Sequence, residues 1–383
     1  MSRFLFVVPP LTGHINPTVA IGAELAARGH EVAWVGHQPV LEPLLPVAAR
    51  IFPVASAGLE AGLFGEGTGL NGFAALRFLW EKFIIPLAHE MLPAVRAAIE
   101  RMEPDVVIAD QQALAGAVAA LQAEVTWATS ATTPAELLRP LAALPKVESW
   151  ISDQMTMLKQ DVGLDDKADL RFSDRLVLAF TTAALAGDLS GVAENVVFTG
   201  PALAGRPDRG RFPWDWLDPA RRHLLVSLGT INGPAGTRFF QVVIDALADL
   251  GDELQVVMAA PPLEKAPPHF LLAGHVPQLA LLPQMAAVVS HGGHNTVCES
   301  LAHGLPLVVT PIRDDQPIIA QQVVEAGAGV RLRFARLTAA QLRAGVRAVL
   351  DDPAYRQGAG RIRDSFAAAG GACAAADHLE RLP

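Results

Sequence analysis

Short unbroken apolar runs alternate along this chain with longer stretches whose apolar positions recur every three to four residues. Arg3 to Val8 is rich in aromatic and β-branched side chains and reads as a buried strand. A loop is expected over 9–16. A helix should follow in which Pro17 suits the first turn, Ala20, Ile21, Leu25 and Ala26 share one face, and Gly29 ends the last turn. Glu31 to Val35 is the next strand, and strand–helix–strand in succession predicts a parallel sheet. Asp105 to Ala109 repeats the strand signature and closes on Asp110, and Arg175–Thr181 and Asn195–Phe198 read as the last strands of this half. The pattern then restarts. His223–Ser227 is a strand leading into the turn Leu228, Gly229, Thr230. It is followed by a helix over 236–250, a strand Leu254–Ala259, a short helix over 278–283, a strand Val288–Ser290 and a helix from Asn295 to His303.

The segment between the halves is rich in Gly, Arg and Pro and contains Pro213, Trp214, Asp215 and Trp216, a loop composition. The reading is therefore a first domain over 1–203, a linker over 204–222 and a second domain over 223–383. No repeat of solenoid spacing is present. Within the first domain, 56–72 is a glycine-rich loop and Phe73 to Met102 is amphipathic-helical, its first half crowded with Phe73, Leu76, Phe78, Leu79, Trp80, Phe83 and Ile84. Residues 131–167 mix prolines with Trp150, Met155 and Met157. Any one of these side chains is expected in an ordinary core.

Composition narrows the class. A chain of 383 residues exceeds what one core usually organises. With 51% hydrophobic and 18% charged residues it is globular rather than disordered. A net charge of −9 argues against nucleic acid as a partner, which would need a basic face. Cys298 and Cys373 make neither a disulfide framework nor a metal-ligand spacing, as expected of a reducing cytosol. The opening apolar run is too short for a signal segment and is broken by Pro9 and Pro10. No run approaches the ~20 apolar residues of a spanning helix. A soluble cytoplasmic protein is the expectation; oligomeric state is not readable.

Chemistry concentrates between Gly274 and Gln316. An apolar run ending at Ser290 meets two glycines, Gly292 and Gly293, and then a helix. A strand, a glycine turn and a helix N-terminus present free N–H groups and the positive end of a helix dipole, a seat for phosphate. Asn295 and Thr296 fall in the first turn. Glu299, one turn on, is an acceptor suited to a ribose hydroxyl pair.

In order, the chain reads His275, Val276, Pro277, Gln278; His291, Gly292, Gly293, His294, Asn295, Thr296; Glu299; Gly304, Leu305, Pro306; and Asp315, Gln316. This resembles the donor-sugar signature of the nucleotide-sugar-dependent glycosyltransferases of the plant and bacterial small-molecule type. The resemblance implies an α/β chain of GT-B fold: two facing Rossmann-like, doubly wound domains with the donor and acceptor cleft between them. It further implies a last helix returning to the first domain, here over 372–382. The family pattern has tryptophan where this chain has His275 and again where it has His294. Stacking on the base is then weaker or differently arranged, and His294 is either an added phosphate donor or an ordinary helix residue.

The resemblance also assigns roles. The family places its base histidine in a Gly-His-x-x-Pro setting, here Gly13, His14, Ile15, Asn16, Pro17. Spacing alone leaves His14 a loop histidine beside a helix start. A base histidine needs a partner to fix its tautomer. Asp110, at the carboxyl end of its strand, is the candidate, with a helix N-cap as its alternative role; Asp105 opens the same strand and points to the other end. Donor contacts are expected from Ser227, Thr230, His275, Val276, Gln278, His291, Gly293, His294, Asn295, Thr296, Glu299, Asp315 and Gln316. Trp80, Phe83 and Met155 are candidates for an apolar acceptor site. The implied reaction is inverting hexosyl transfer from a UDP-sugar, glucose favoured, to a hydroxyl of an apolar small molecule such as a bacterial natural product or antibiotic. Neither metal nor cofactor is expected, since Asp314 and Asp315 lack a metal-binding setting. A dTDP-deoxysugar donor is the alternative, because the case for UDP rests on Glu299. A sugar-nucleotide epimerase and a silent sugar-nucleotide-binding protein are rivals on the same plan. An NAD-dependent dehydrogenase would need Gly-x-Gly-x-x-Gly after the first strand, where this chain has Pro9, Pro10, Leu11, Thr12, Gly13, His14.

Overall fold

A computed structural model describes residues 1–55, 70, 72–138, 140–142, 144–204, 206, 212–229, 236–261, 263 and 266–383. The chain forms two compact units. The first comprises 1–181, 189–207 and 369–383, the second 182–188 and 208–368.

Among the described residues the first unit holds a seven-stranded sheet in the order β3-β2-β1-β4-β5-β6-β7. Its strands are β1 Arg3–Val7, β2 Glu31–Gly36, β3 Arg50–Pro53, β4 Val106–Asp110, β5 Trp127–Ala131, β6 Val177–Ala179 and β7 Val196–Phe198. All neighbours are parallel, with Phe4 opposite both Val32 and Val106. The period of two sorts the side chains. Leu5, Val7, Ala33, Val35, Val107 and Ala109 face one core, with Leu87, Met91 and Val95 of the helix Ile85–Met102. Phe4, Phe6, Trp34, Val106 and Ile108 face the other, with Ile21 and Leu25 of the helix Thr12–Ala27. A fully buried Val, Leu or Phe stabilises by about 1.5–3 kcal/mol, so both faces must be covered and the sheet is doubly wound.

The helix Gly371–Leu379 joins this second core through Ala375, Ala376 and Leu379. Arg28 Nη1 donates to Asp377 at 2.6 Å and to Glu380 at 2.7 Å, and His30 Nε2 lies 2.6 Å from Glu380 Oε1. The tail of the chain is thus a structural part of the first unit.

The second unit has six parallel strands in the order β10-β9-β8-β11-β12-β13. They are β8 Arg222–Ser227, β9 Leu254–Ala259, β10 Phe270–Ala273, β11 Ala287–Ser290, β12 Leu307–Val309 and β13 Gly329–Arg331. One core gathers Leu225, Val257, Val288, Leu307 and Val309, the other Leu224, Val226, Val256, Met258 and Val289.

Local structure departs from the sequence reading in three places. The first helix starts at Thr12 rather than after Asn16, so His14 lies in its first turn and Pro17 inside it, at the loss of one backbone donor. The 73–102 segment is not one regular helix: Phe73–Phe78 and Ile85–Met102 are joined by a widened turn over Leu79–Ile84. Pro86 follows this turn and cannot donate back to Lys82, which suits a local break in the i→i−4 ladder. Within the span expected as linker, the described residues from Phe212 onward fold onto the second unit. Phe212 enters its core, Asp218 N donates to Gln255 Oε1 at 2.7 Å, and Gln255 Nε2 donates to the Trp216 carbonyl at 2.7 Å. Conversely, Thr182 belongs to the second unit, where its hydroxyl accepts from Ser365 at 2.8 Å. The loop expected over 56–72 falls almost wholly outside the described residues.

Candidate active site

Both sheets change direction at one point. In the first the chain winds outward through β1, β2 and β3, then returns to place β4 on the other side of β1; in the second β11 likewise lands beside β8. The carboxyl ends of strands flanking such a switch point form a crevice where ligands bind in open α/β sheets.

In the first unit that crevice carries His14 and Asp110. Asp110 is the last residue of β4 and 1% exposed, so it must be satisfied by protein donors. Its Oδ1 lies 2.9 Å from His14 Nδ1 and accepts from Gln112 N at 2.9 Å. Its Oδ2 accepts from Thr132 Oγ1 at 2.7 Å, and that same hydroxyl is 2.7 Å from His14 Nδ1. The His14 side chain keeps 14% of its surface exposed. Of this cluster, sequence reasoning missed Thr132, the residue after β5. The signal was weak because β5 is built of small and polar residues, Thr129 and Ser130 among them, and reads poorly as a strand. Asp105 sits at the opposite end of β4, where its carboxylate accepts from Arg3 N at 2.7 Å. Glu136, in the short turn Pro134–Leu138, also feels His14. Loss of solvent pushes its carboxyl up, and the neighbouring Arg171, Gln111 and His14 pull it back.

Trp80, Phe83 and Met155 are 3%, 1% and 6% exposed and lie in the first core. With so little surface exposed, they pack as core residues of the unit. Their aromatic and sulfur chemistry is equally suited to packing.

In the second unit the crevice gathers the glycine turn. Gly292 adopts φ +88°, and a side chain there would meet Val309 at 2.8 Å. Gly293 is the N-cap of the helix His294–Ala302 and has no side chain to occupy the first-turn N–H groups. Asn295 and Thr296 lie in that turn, as expected. Across the turn, Ser227 Oγ accepts from Gly229 N at 3.2 Å. Thr230 lies outside the described residues.

His291 is packed between these elements. A Cβ on Gly229 would come within 2.7 Å of its ring, and one on Gly293 within 2.5 Å. The ring hydrogen-bonds the Ser227 backbone, and its Nδ1 is buried with no partner. Burial pulls its pKa down to about 4, against the Ser227 bond that would raise it and with help from the nearby Arg313 cation. His291 is therefore neutral at ordinary pH, spends its single N–H on the Ser227 backbone, and brings no positive charge to the turn. Arg313 supplies charge nearby, a residue that sequence reasoning passed over.

Gln278 Nε2 donates to Glu299 Oε2, joining two of the expected donor residues; Glu299 is 3% exposed. The Gln316 amide oxygen accepts from the N–H groups of Ile312 and Arg313 at 2.9 and 3.1 Å, which leaves its NH2 for other partners. Asp315 is the N-cap position of the helix Gln316–Glu325 without capping it. His275 is exposed, whereas Val276 is 5% exposed and packs in the core, so Val276 offers a ligand its backbone rather than its side chain. The His294 ring lies 3.5 Å from Cys298 Sγ, one turn along, and burial pushes the Cys298 thiol up, beyond any ordinary reactivity. Among the described residues no group of three His, Cys, Asp or Glu side chains is placed to hold a metal ion. No helix there is long and apolar enough to cross a membrane.

Known proteins resemble this chain in sequence and in fold. The family model described as Erythromycin biosynthesis protein CIII-like, C-terminal domain, matches residues 241–382. The 4'-demethylrebeccamycin synthase of Lentzea aerocolonigenes is 30% identical over 420 residues, covering 100% of this chain and 99% of its own. Among solved structures, the glycotransferase of kitacinnamycin superposes with a TM-score of 0.77 at 26% identity, covering 100% of this chain and 99% of its own. VinC in complex with dTDP gives a TM-score of 0.77 at 20% identity, over 99% of each chain.

Proposed function

Since the chain belongs to the UGT-like glycosyltransferases of GT-B fold, we propose that it transfers a hexose from UDP to a hydroxyl of an apolar natural product, with inversion and without a metal. His14 Nε2 takes the proton of the acceptor hydroxyl as its oxygen attacks the anomeric carbon. The bond from that carbon to the diphosphate oxygen breaks, and the proton ends on His14. General-base help of this kind contributes about 10²–10⁴-fold. The departing diphosphate gains charge, which the first-turn N–H groups of the 294–302 helix stabilise.

The observation that supports the base assignment is the 2.9 Å contact of His14 Nδ1 with a buried carboxylate at the switch point. Glu299, held by Gln278, is the acceptor for a ribose hydroxyl pair and favours UDP over dTDP, which lacks the 2′-hydroxyl. Similarity along the whole chain to a 4'-demethylrebeccamycin synthase supports a natural-product acceptor.

The test is turnover of UDP-glucose with a panel of apolar alcohols, in EDTA, for the wild type and His14→Ala. Transfer by the wild type and loss of at least about 100-fold in the variant, with UDP affinity retained by calorimetry, is the expected result. Wild-type turnover by His14→Ala removes the base assignment, and dependence on added metal removes the metal-free one.

A further inference from the structure

Accepting His14 as the base, we infer that Thr132 is its positioning residue: with Asp110 it holds the imidazole as the Nδ1–H tautomer and so keeps the lone pair on Nε2. The argument is one of counting protons. A threonine hydroxyl has a single proton to donate, and an ionised carboxylate has none. Thr132 Oγ1 and Asp110 Oδ2 are 2.7 Å apart, a contact that requires the threonine proton between them. That proton is then spent, so the 2.7 Å contact of the same hydroxyl with His14 Nδ1 requires the ring nitrogen to donate. Asp110 Oδ1, 2.9 Å from Nδ1, makes the same demand independently. Were Nδ1 unprotonated, two acceptors would face a third acceptor at hydrogen-bond distance in a buried site.

The three groups come from three adjacent strands. His14 follows β1, Asp110 ends β4 and Thr132 follows β5, with Ser130 paired to Asp110 in the sheet. Thr132 is 5% exposed, and branching at Cβ restricts its rotation, so its hydroxyl is aimed in advance. Proton transfer to Nε2 leaves every bond of this cluster in place. Nδ1 donates before and after, Thr132 still donates to Asp110, and nothing behind the ring needs to reorganise as the imidazolium forms.

The experiment is ¹⁵N NMR of the histidine-labelled full chain, which tells pyrrole-like from pyridine-like ring nitrogens, beside steady-state kinetics of Thr132→Val and Thr132→Ser. The expected wild-type spectrum at a pH where His14 is neutral shows Nδ1 protonated and Nε2 bare. Thr132→Val, close in shape but without the hydroxyl, should give a mixed tautomer and a kcat about tenfold lower. Its UDP affinity should stay unchanged, because the donor residues lie in the other unit. Thr132→Ser should restore the tautomer and most of kcat. A wild-type spectrum with Nε2 protonated overturns the inference, and it does so even if the valine variant fails to fold. Unchanged tautomer and kcat in Thr132→Val overturn it equally. The NMR readout needs no turnover, so failure of the base assignment, read from His14→Ala, is seen separately.

Discussion

Replacing His291 by glutamine should remove most of an acid sensitivity built into the second unit. The unfolded chain protonates this histidine through its ordinary value of 6.5, while the folded protein resists until about pH 4. Between those values the unfolded state binds more protons, so stability is whole above 6.5 and falls as the pH drops. Each unit of pH in that window costs about 1.4 kcal/mol. At pH 5, with the unfolded site almost fully protonated and the folded site about a tenth so, the loss is about 2 kcal/mol. Glutamine keeps a donor for the Ser227 backbone and does not titrate. Urea unfolding of both proteins at about pH 7.5 and pH 5, compared as differences so that other titrating groups cancel, should show the wild type losing about 2 kcal/mol more than the variant. Equal losses in the two proteins would mean that the imidazole is not held neutral, and the view of His291 as an uncharged neighbour of the glycine turn would go with it.

Three further perturbations test neighbouring parts. Gly293→Ala is compatible with the backbone there, φ −62°, but its Cβ would sit 2.5 Å from His291 Nε2. The ring must move, and UDP affinity measured by calorimetry on the folded variant should fall about tenfold or more while overpacking lowers the melting temperature; unchanged affinity would exclude the glycine turn from the donor site. Glu299→Ala should weaken UDP more than dTDP, and an equal loss for both would remove the ribose argument. Arg28→Ala should loosen the 371–379 helix, read as faster hydrogen exchange of its amides. Unchanged protection would show that the packing of Ala375, Ala376 and Leu379, with the His30–Glu380 contact, holds it without Arg28.

What could be read from the sequence was governed by how each element is buried. β1, β4, β8, β9 and β11 are central, covered on both faces, and composed largely of Val, Leu, Ile and Phe, so their runs announced themselves. β12 and β13 are three residues each, and β3 at the sheet edge is only partly buried; none has a period long enough to see. β5 is as buried as its neighbours but is made of Trp, Ala, Thr and Ser, which hid both the strand and Thr132 beyond it. The pair His14 and Asp110 was legible because Asp110 ends a legible strand and His14 opens the helix that follows another. Trp80, Phe83 and Met155 could not be sorted from sequence, because apolar side chains look alike whether they line a pocket or fill a core. Helix starts were read late where proline was taken as a first-turn signal: Pro17 lies well inside its helix.

The two sheets share one strand order, yet the crevices they open carry opposite chemistries, and the difference lies in the few residues after each strand. After β1 the chain reads Pro9, Pro10, Leu11 and enters a helix at Thr12, so the crevice receives an imidazole from the first helical turn, not a glycine turn. A buried aspartate at the end of β4 and a hydroxyl after β5 both contact Nδ1 of that imidazole, the arrangement that the proposed base role needs. After β11 the chain has Gly292 at φ +88° and Gly293 as a bare N-cap, so backbone N–H groups take the place that side chains hold in the first unit. A carboxylate in the second crevice as close as Asp110 is to His14 would repel a diphosphate; a neutral histidine does not, and it spares the site the cost of a buried unpaired charge when the ligand is gone. Glu299 is compatible with an anion seat because it lies one turn further down the helix, tied to Gln278. The proposed division of labour therefore needs no difference in the order of the six strands the sheets share, only a glycine pair after one strand and a histidine, an aspartate and a threonine at or beyond the ends of three others.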